Sequence, residues 1–124
     1  MLQSLAIAVG GAAGALFRFW VSTWAYGRLG RDFPWGTLVV NVVGSLLMGL
    51  LYILLIERLA VSPLWRAALL VGFLGAFTTF STFSIETLNL IEEGALFSAL
   101  SNVLVSVILC LLGAWLGVLL GRTL

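Results

Sequence analysis

The chain has no histidine, one cysteine and two prolines in 124 residues, and only 9% of its residues are charged. With no histidine and Cys110 alone, there is no Cys/His cluster for a transition metal and no intrachain disulfide. A net charge of +1 supplies no basic surface for nucleic acid. Charges this sparse cannot keep a soluble domain of this size dispersed. No basic residue precedes Arg18, so the first apolar stretch lacks the n-region of a signal peptide and reads as a retained helix.

What is present is apolar: 62% of residues are hydrophobic and the mean hydropathy is +1.20. A helix crosses about 30 Å of hydrocarbon with about 20 mostly apolar residues. Four such segments fit, near residues 2–25, 35–57, 64–91 and 95–121, with little chain left over. The expected fold is therefore an all-α integral membrane protein, one four-helix transmembrane domain over residues 1–124. Short connections are expected at Tyr26 to Pro34, Glu57 to Pro63 and Glu92 to Gly94, with Gly121 to Leu124 closing the chain and both termini on one side. Ser62-Pro63 is suited to open a helix. No room remains for a soluble domain, so function must lie within the membrane.

Arginine placement is nearly balanced. Arg58, Arg66 and Arg122 fall on the side of the termini; Arg28 and Arg31 fall on the other, joined by Arg18 if it snorkels that way. Positive residues orient membrane proteins by such counts. Either this small bias suffices, or the chain inserts both ways and pairs as an antiparallel homodimer. The latter would supply between two chains the inverted symmetry that many transporters build within one.

Small residues recur every four positions: Gly10 and Gly14, Ser45 and Gly49, then Gly113, Gly117 and Gly121. In lipid, close backbone approach replaces the hydrophobic drive for helix association. These positions predict a tight bundle and say nothing of function.

The third segment is the informative one. Gly75 to Ser84 reads GAFTTFSTFS, with three Thr, two Ser and three Phe inside an apolar run. Gly72, Gly75 and Ala76 are weak points, and a discontinuous helix frees carbonyls that can coordinate a cation when buried in protein. Beyond the break, helical spacing puts Phe80, Phe83 and Ser84 on one face and Thr79, Thr82 and Glu86 on a neighbouring one. Phe edges carry positive quadrupole charge. Beside hydroxyl donors they can receive a small anion weakly enough to release it. The competing reading makes the Phe core filler and bonds each hydroxyl back to its i−4 carbonyl.

Other segments add polar groups. Asn41, in GTLVVNVVGS, serves either as interhelical glue or as an amide donor on a pathway, on a face made small by Gly44 and Ser45. Ser98, Asn102, Ser106 and Cys110 lie four apart in the last segment and can line a pathway obliquely or glue helices. Arg18 either snorkels or feeds positive potential into a vestibule; Glu86 is interfacial, pairs with an Arg, or takes part in ion movement.

Three stretches together carry a resemblance. GAAGALFRF at Gly11 to Phe19, PWGTLVVNVVGS at Pro34 to Ser45 and GFLGAFTTFSTFSIE at Gly72 to Glu86 resemble the Fluc (CrcB) fluoride channels of prokaryotes, over essentially the whole chain. The resemblance implies an antiparallel, dual-topology homodimer in the prokaryotic inner membrane, with two pores that export cytoplasmic F⁻ passively. Fluoride enters such cells as HF and dissociates inside. It implies pore roles for Phe80, Phe83 and Asn41, a polar track at Thr79, Thr82, Ser84 and Ser106, and a structural Na⁺ held by the Gly75 and Thr78 carbonyls, so the third helix is expected to break mid-membrane over Gly75 to Thr78 and to restart over Thr79 to Ser84. Ala76 stands where a second Gly is common, and Asn102 and Cys110 stand where Tyr and Ser occur in some relatives. Two other classes remain: a small dual-topology exporter of cationic drugs, which needs a carboxylate deep in a helix, and a non-transporting assembly protein, which needs no polar track.

Overall fold

A computed structural model describes all 124 residues. It is helical throughout, without strands, and contains four helical segments long and apolar enough to cross a membrane: Leu2–Leu29, Trp35–Arg58, Pro63–Glu92 and Leu96–Thr123. The first and last are the single helices α1 (Leu2–Leu29) and α6 (Leu96–Thr123). The second is α2 (Trp35–Tyr52) finished by wider π winding at Ile53–Arg58. The third comprises α3 (Pro63–Arg66), π winding at Ala67–Leu74, α4 (Gly75–Phe77) and α5 (Phe80–Glu92).

Two ends differ from expectation. The first helix does not stop at Tyr26 but continues through Gly27 and Arg28 to Leu29. Gly30 ends it, at φ 89°, donating its N–H to the Tyr26 carbonyl. Arg28 thereby sits in the last turn, where the helix dipole favours a cation. At the other end of the chain, α6 keeps winding through Gly121 and Arg122 to Thr123. The Arg58 guanidinium crosses to it, donating to the Gly121 and Arg122 carbonyls at 3.3 and 2.8 Å, so the ends of the second and fourth segments are tied together. Pro63 opens the third segment directly after Ser62, and Gly94, at φ 82°, closes it by donating to Ile91.

The bundle packs through backbone contact. α2 lies chiefly against α6, and α1 chiefly against the π-wound part of the third segment. At Gly14 an added Cβ would strike the Phe73 carbonyl, and at Gly10 that of Ala68. On the other seam, Gly49 meets the Ala114 carbonyl and Gly117 that of Leu46. The four-residue glycine spacing is therefore spent on close approach between neighbouring helices, as small residues are in lipid. Few side chains are sequestered; the core includes Val40, Ile53, Leu74 and Phe77, while large apolar groups such as Phe19, Trp20, Trp24 and Trp115 stay exposed on the outside.

Gly117→Val should force α2 and α6 apart and destabilise the protein by about 1–3 kcal/mol, as overpacking does. Gly27→Ala, with nothing within 4 Å of the added Cβ, should be neutral or stabilising by up to about 1 kcal/mol. Thermal unfolding in detergent separates the two; equal melting temperatures would contradict the packing described.

Candidate functional site

The site is built on an interruption of the third segment. Thr78 (φ −87°, ψ 159°) and Thr79 (φ −153°, ψ 116°) are extended, between α4 and α5. β-branched residues tolerate this backbone well, and each threonine finishes one helix end. Thr78 Oγ1 turns back to donate to the Leu74 carbonyl at 3.0 Å. Thr79 is the N-cap of α5: its Oγ1 accepts the Thr82 N–H at 3.1 Å and donates to Thr82 Oγ1 at 3.0 Å. The sequence reading puts the break at Gly75 to Thr78 and restarts the helix at Thr79; the structure keeps Gly75 to Phe77 helical and makes the extended pair Thr78 and Thr79, with the helix resuming at Phe80. The hydroxyl side chains can cap two helix ends, which glycine and alanine cannot.

Asn41 of α2 spans the break. Its Nδ2 donates to the Thr79 carbonyl at 3.0 Å and its Oδ1 accepts the Thr79 N–H at 2.8 Å. One side-chain amide thus satisfies both backbone groups of an extended residue inside a helical bundle, where each would be expensive to leave unpaired. Of the two roles the sequence leaves open, the structure shows the amide as interhelical glue, and it also borders the cavity described next.

Around this junction lies a cavity of about 470 Å³, open at one side and mostly apolar. Asn41, Thr78, Thr79, Phe80, Phe83 and Ser106 all line it, with Gly44 and Ser45 forming its small wall and Cys110 contributed by α6. The Phe80 and Phe83 rings lie 5.4 Å apart at 38°. Phe80 is 78% exposed, so its ring stands at the open side rather than filling a core.

A second cavity, of about 230 Å³, holds the remaining polar positions: Arg18, Thr82 and Glu86, together with Thr37, and it shares Thr79 with the first. Thr79 is thus the common wall residue. Ser84 joins neither cavity; exposed, it donates its hydroxyl back to the Phe80 carbonyl at 2.9 Å. Thr87 bonds back likewise, to Phe83 at 2.7 Å. The α6 stripe divides. Asn102, 1% exposed, donates to Thr87 Oγ1 at 2.8 Å and accepts from Ser106 at 3.2 Å, tying α5 to α6, while Ser106 and Cys110 border the large cavity.

The break also leaves carbonyls available. In an unbroken helix the Thr79 N–H would close on the Gly75 carbonyl and the Thr82 N–H on that of Thr78. Here Asn41 takes the first N–H and the Thr79 hydroxyl the second. Both carbonyl oxygens thereby lose these i+4 partners, and Gly75 is exposed. No group of three or more Cys, Asp or Glu side chains forms a metal cluster.

Residues 5–118 match the family described as CrcB-like protein, Camphor Resistance (CrcB). This chain belongs to the CrcB-like family. A protein of Methylococcus capsulatus named "Fluoride-specific ion channel FluC" is 63% identical over 99% of the chain, which spans 54% of that relative's length. Proteins of the same name from Coxiella burnetii and Geobacter sulfurreducens are 58% and 50% identical, with essentially complete coverage of both sequences. The CrcB-like chain is accordingly a multi-pass bacterial membrane protein in a family of ion channels, not enzymes.

Two features of this CrcB-like site are not marked in the sequence. Tyr26 donates to Glu86 across the second cavity, although both read as separate groups near helix ends. Thr37 joins them, 3.4 Å from the Tyr26 hydroxyl. A polar residue shortly after the PWG opening of α2 is the only hint.

Asn41→Ala should leave the Thr79 N–H and carbonyl without partners and lower stability by about 2 kcal/mol or more. Asn41→Asp keeps an acceptor for the N–H but loses the donor to the carbonyl, and should fall between Asn41→Ala and the native protein. Denaturation curves and hydrogen exchange at the Thr79 amide read this out; unchanged Thr79 protection in Asn41→Ala would contradict the bridge.

Proposed function

We propose that this chain is a fluoride-selective channel that lets cytoplasmic F⁻ leave the cell passively, working as an antiparallel homodimer with two pores. The observation that carries the reading is the convergence of Asn41, Thr79, Phe80, Phe83 and Ser106 on one cavity at a helix interruption. The name of the relatives agrees with it. Fluoride is small and strongly hydrated, so stripping its water needs hydrogen-bond donors in close reach. The Asn41 amide and the rotatable hydroxyls of Thr79, Thr82 and Ser106 supply them, and exposed Phe edges add a weak positive field without the trap of a full charge. Arg18, in the adjoining cavity with Thr82 and Glu86, draws the anion toward the narrow part. Ser84 joins the track once its hydroxyl turns from the Phe80 carbonyl.

The freed Gly75 and Thr78 carbonyls fit a hard monovalent cation, and an exposed Gly75 face fits a site shared with a second copy. Na⁺ bound there would neutralise the carbonyl dipoles where two broken helices meet. With the break near the bilayer midplane, antiparallel copies would present the same residues to one another. A drug exporter is less well supported, because Glu86 hydrogen-bonds Tyr26 toward a segment end instead of standing deep in the bundle.

Purified protein in liposomes should pass F⁻ and largely exclude Cl⁻; chloride passing as readily would sink the reading. Phe80→Ile or Phe83→Ile should cut flux with the dimer intact, and wild-type flux in both would remove the rings from the pathway. Replacing Na⁺ should change flux or dimer integrity, whereas indifference to that exchange would count against the Gly75 and Thr78 site.

A further inference from the structure

Tyr26 and Glu86 line two cavities at once. One is the 230 Å³ space that also holds Arg18 and Thr82. The other, of about 350 Å³, is a polar basin bordered by Arg31, Asp32 and Glu93. Tyr26 and Glu86 are the only residues common to both linings, and the Tyr26 hydroxyl donates to Glu86 Oε2. The second carboxylate oxygen, Oε1, is buried without a partner. The Tyr26 hydroxyl is therefore the only protein donor fixing this side chain.

The tyrosine itself is firmly held. The Arg31 guanidinium stacks over its ring, 4.8 Å from the centroid. The ring also occupies the space where a Cβ on Gly36 would stand. Thr37 Oγ1 lies 3.4 Å from the hydroxyl. Helix α1, the following loop and the start of α2 thus converge on one ring and aim one hydroxyl at α5. Ring packing alone explains the stacking and the glycine, but not a hydroxyl bonded to a carboxylate between two polar spaces.

Resting on the channel reading above, we propose that Tyr26 is a positioning residue for anion passage: its hydroxyl pins the Glu86 carboxylate into the wall between the two cavities, out of the path of the anion. Arg18 faces this carboxylate from α1, Arg31 and Asp32 from the loop, and Glu93 from beyond α5. Released, the carboxylate would present an unpaired negative charge to an incoming anion.

The test compares fluoride efflux from liposomes holding wild type, Tyr26→Phe, Glu86→Gln and the double variant. Tyr26→Phe keeps the ring, its Arg31 contact and its seat at Gly36, but frees the carboxylate; efflux should fall about tenfold, the scale of one lost hydrogen bond to a charged group. On the Glu86→Gln background there is no charge to pin, so adding Tyr26→Phe should change efflux by less than about twofold. Wild-type efflux in Tyr26→Phe, or the same loss on both backgrounds, overturns the proposal. Gly36→Ala, which displaces the ring, should reproduce the loss and decides the matter if Tyr26→Phe does not fold. The infrared difference between wild type and Glu86→Gln isolates the Glu86 carboxylate band, which Tyr26→Phe should shift. An unmoved band overturns the proposal whatever the efflux, while a band that Tyr26→Phe does shift, together with a wild-type protein that passes no fluoride, would sink the channel reading alone.

Discussion

Asn41 makes two hydrogen bonds to a single residue, Thr79, and they allow a helix to stop and restart inside an apolar bundle. Water satisfies such backbone groups at the surface of a soluble protein, but inside an apolar bundle only neighbouring side chains can. The amide replaces what a neighbouring strand would provide, an acceptor and a donor at matched spacing. Without it, the extended pair Thr78 and Thr79 would leave polar groups unmet, and continuous helix would be the cheaper state.

Because the chain stops there, several consequences follow from one geometry. Thr79 becomes a helix N-cap, so its hydroxyl sits at the junction of two cavities. Phe80 and Phe83 begin a new helix and both line the larger cavity, Phe80 exposed and Phe83 half-buried. The Thr79 and Thr82 N–H groups are diverted from the Gly75 and Thr78 carbonyls, their partners in an unbroken helix.

The surrounding bundle is closely packed around this junction. Gly49 and Gly117 hold α2 against α6, which sets Asn41 opposite Ser106 across the cavity. Gly10 and Gly14 hold α1 against the π-wound part of the third segment, which brings Tyr26 and Arg18 alongside α5. The Asn102 bridge from α6 to Thr87 fixes the far part of α5. Polar groups on α5 and α6 are in this way shared between holding helices together and lining space.

The four spans, their order and their approximate limits were legible in the sequence, because length and apolarity are local properties that the bilayer alone constrains. Asn41, Phe80 and Phe83 stand out there as candidates, since an amide and clustered rings are conspicuous in an apolar run; Ser106 is marked off from its stripe only by the family resemblance, and the structure places all four around one cavity. The break was legible only to within a residue or two: the expected Gly75 to Thr78 includes Thr78 but not Thr79, and its first three residues are helical. Glycine and alanine at 75–76 are weak helix formers, but threonine at 78–79 can cap both new ends and reach Asn41, and that choice depends on a residue 38 positions away. Nor could spacing divide Thr79, Thr82 and Ser84 among the large cavity, the small one and neither, or join Tyr26 to Glu86 across 60 residues. Sequence by itself determined that polar groups must be buried in this membrane protein. Only the tertiary structure decided which of them meet, because a hydrogen bond is settled by where two helices bring its atoms.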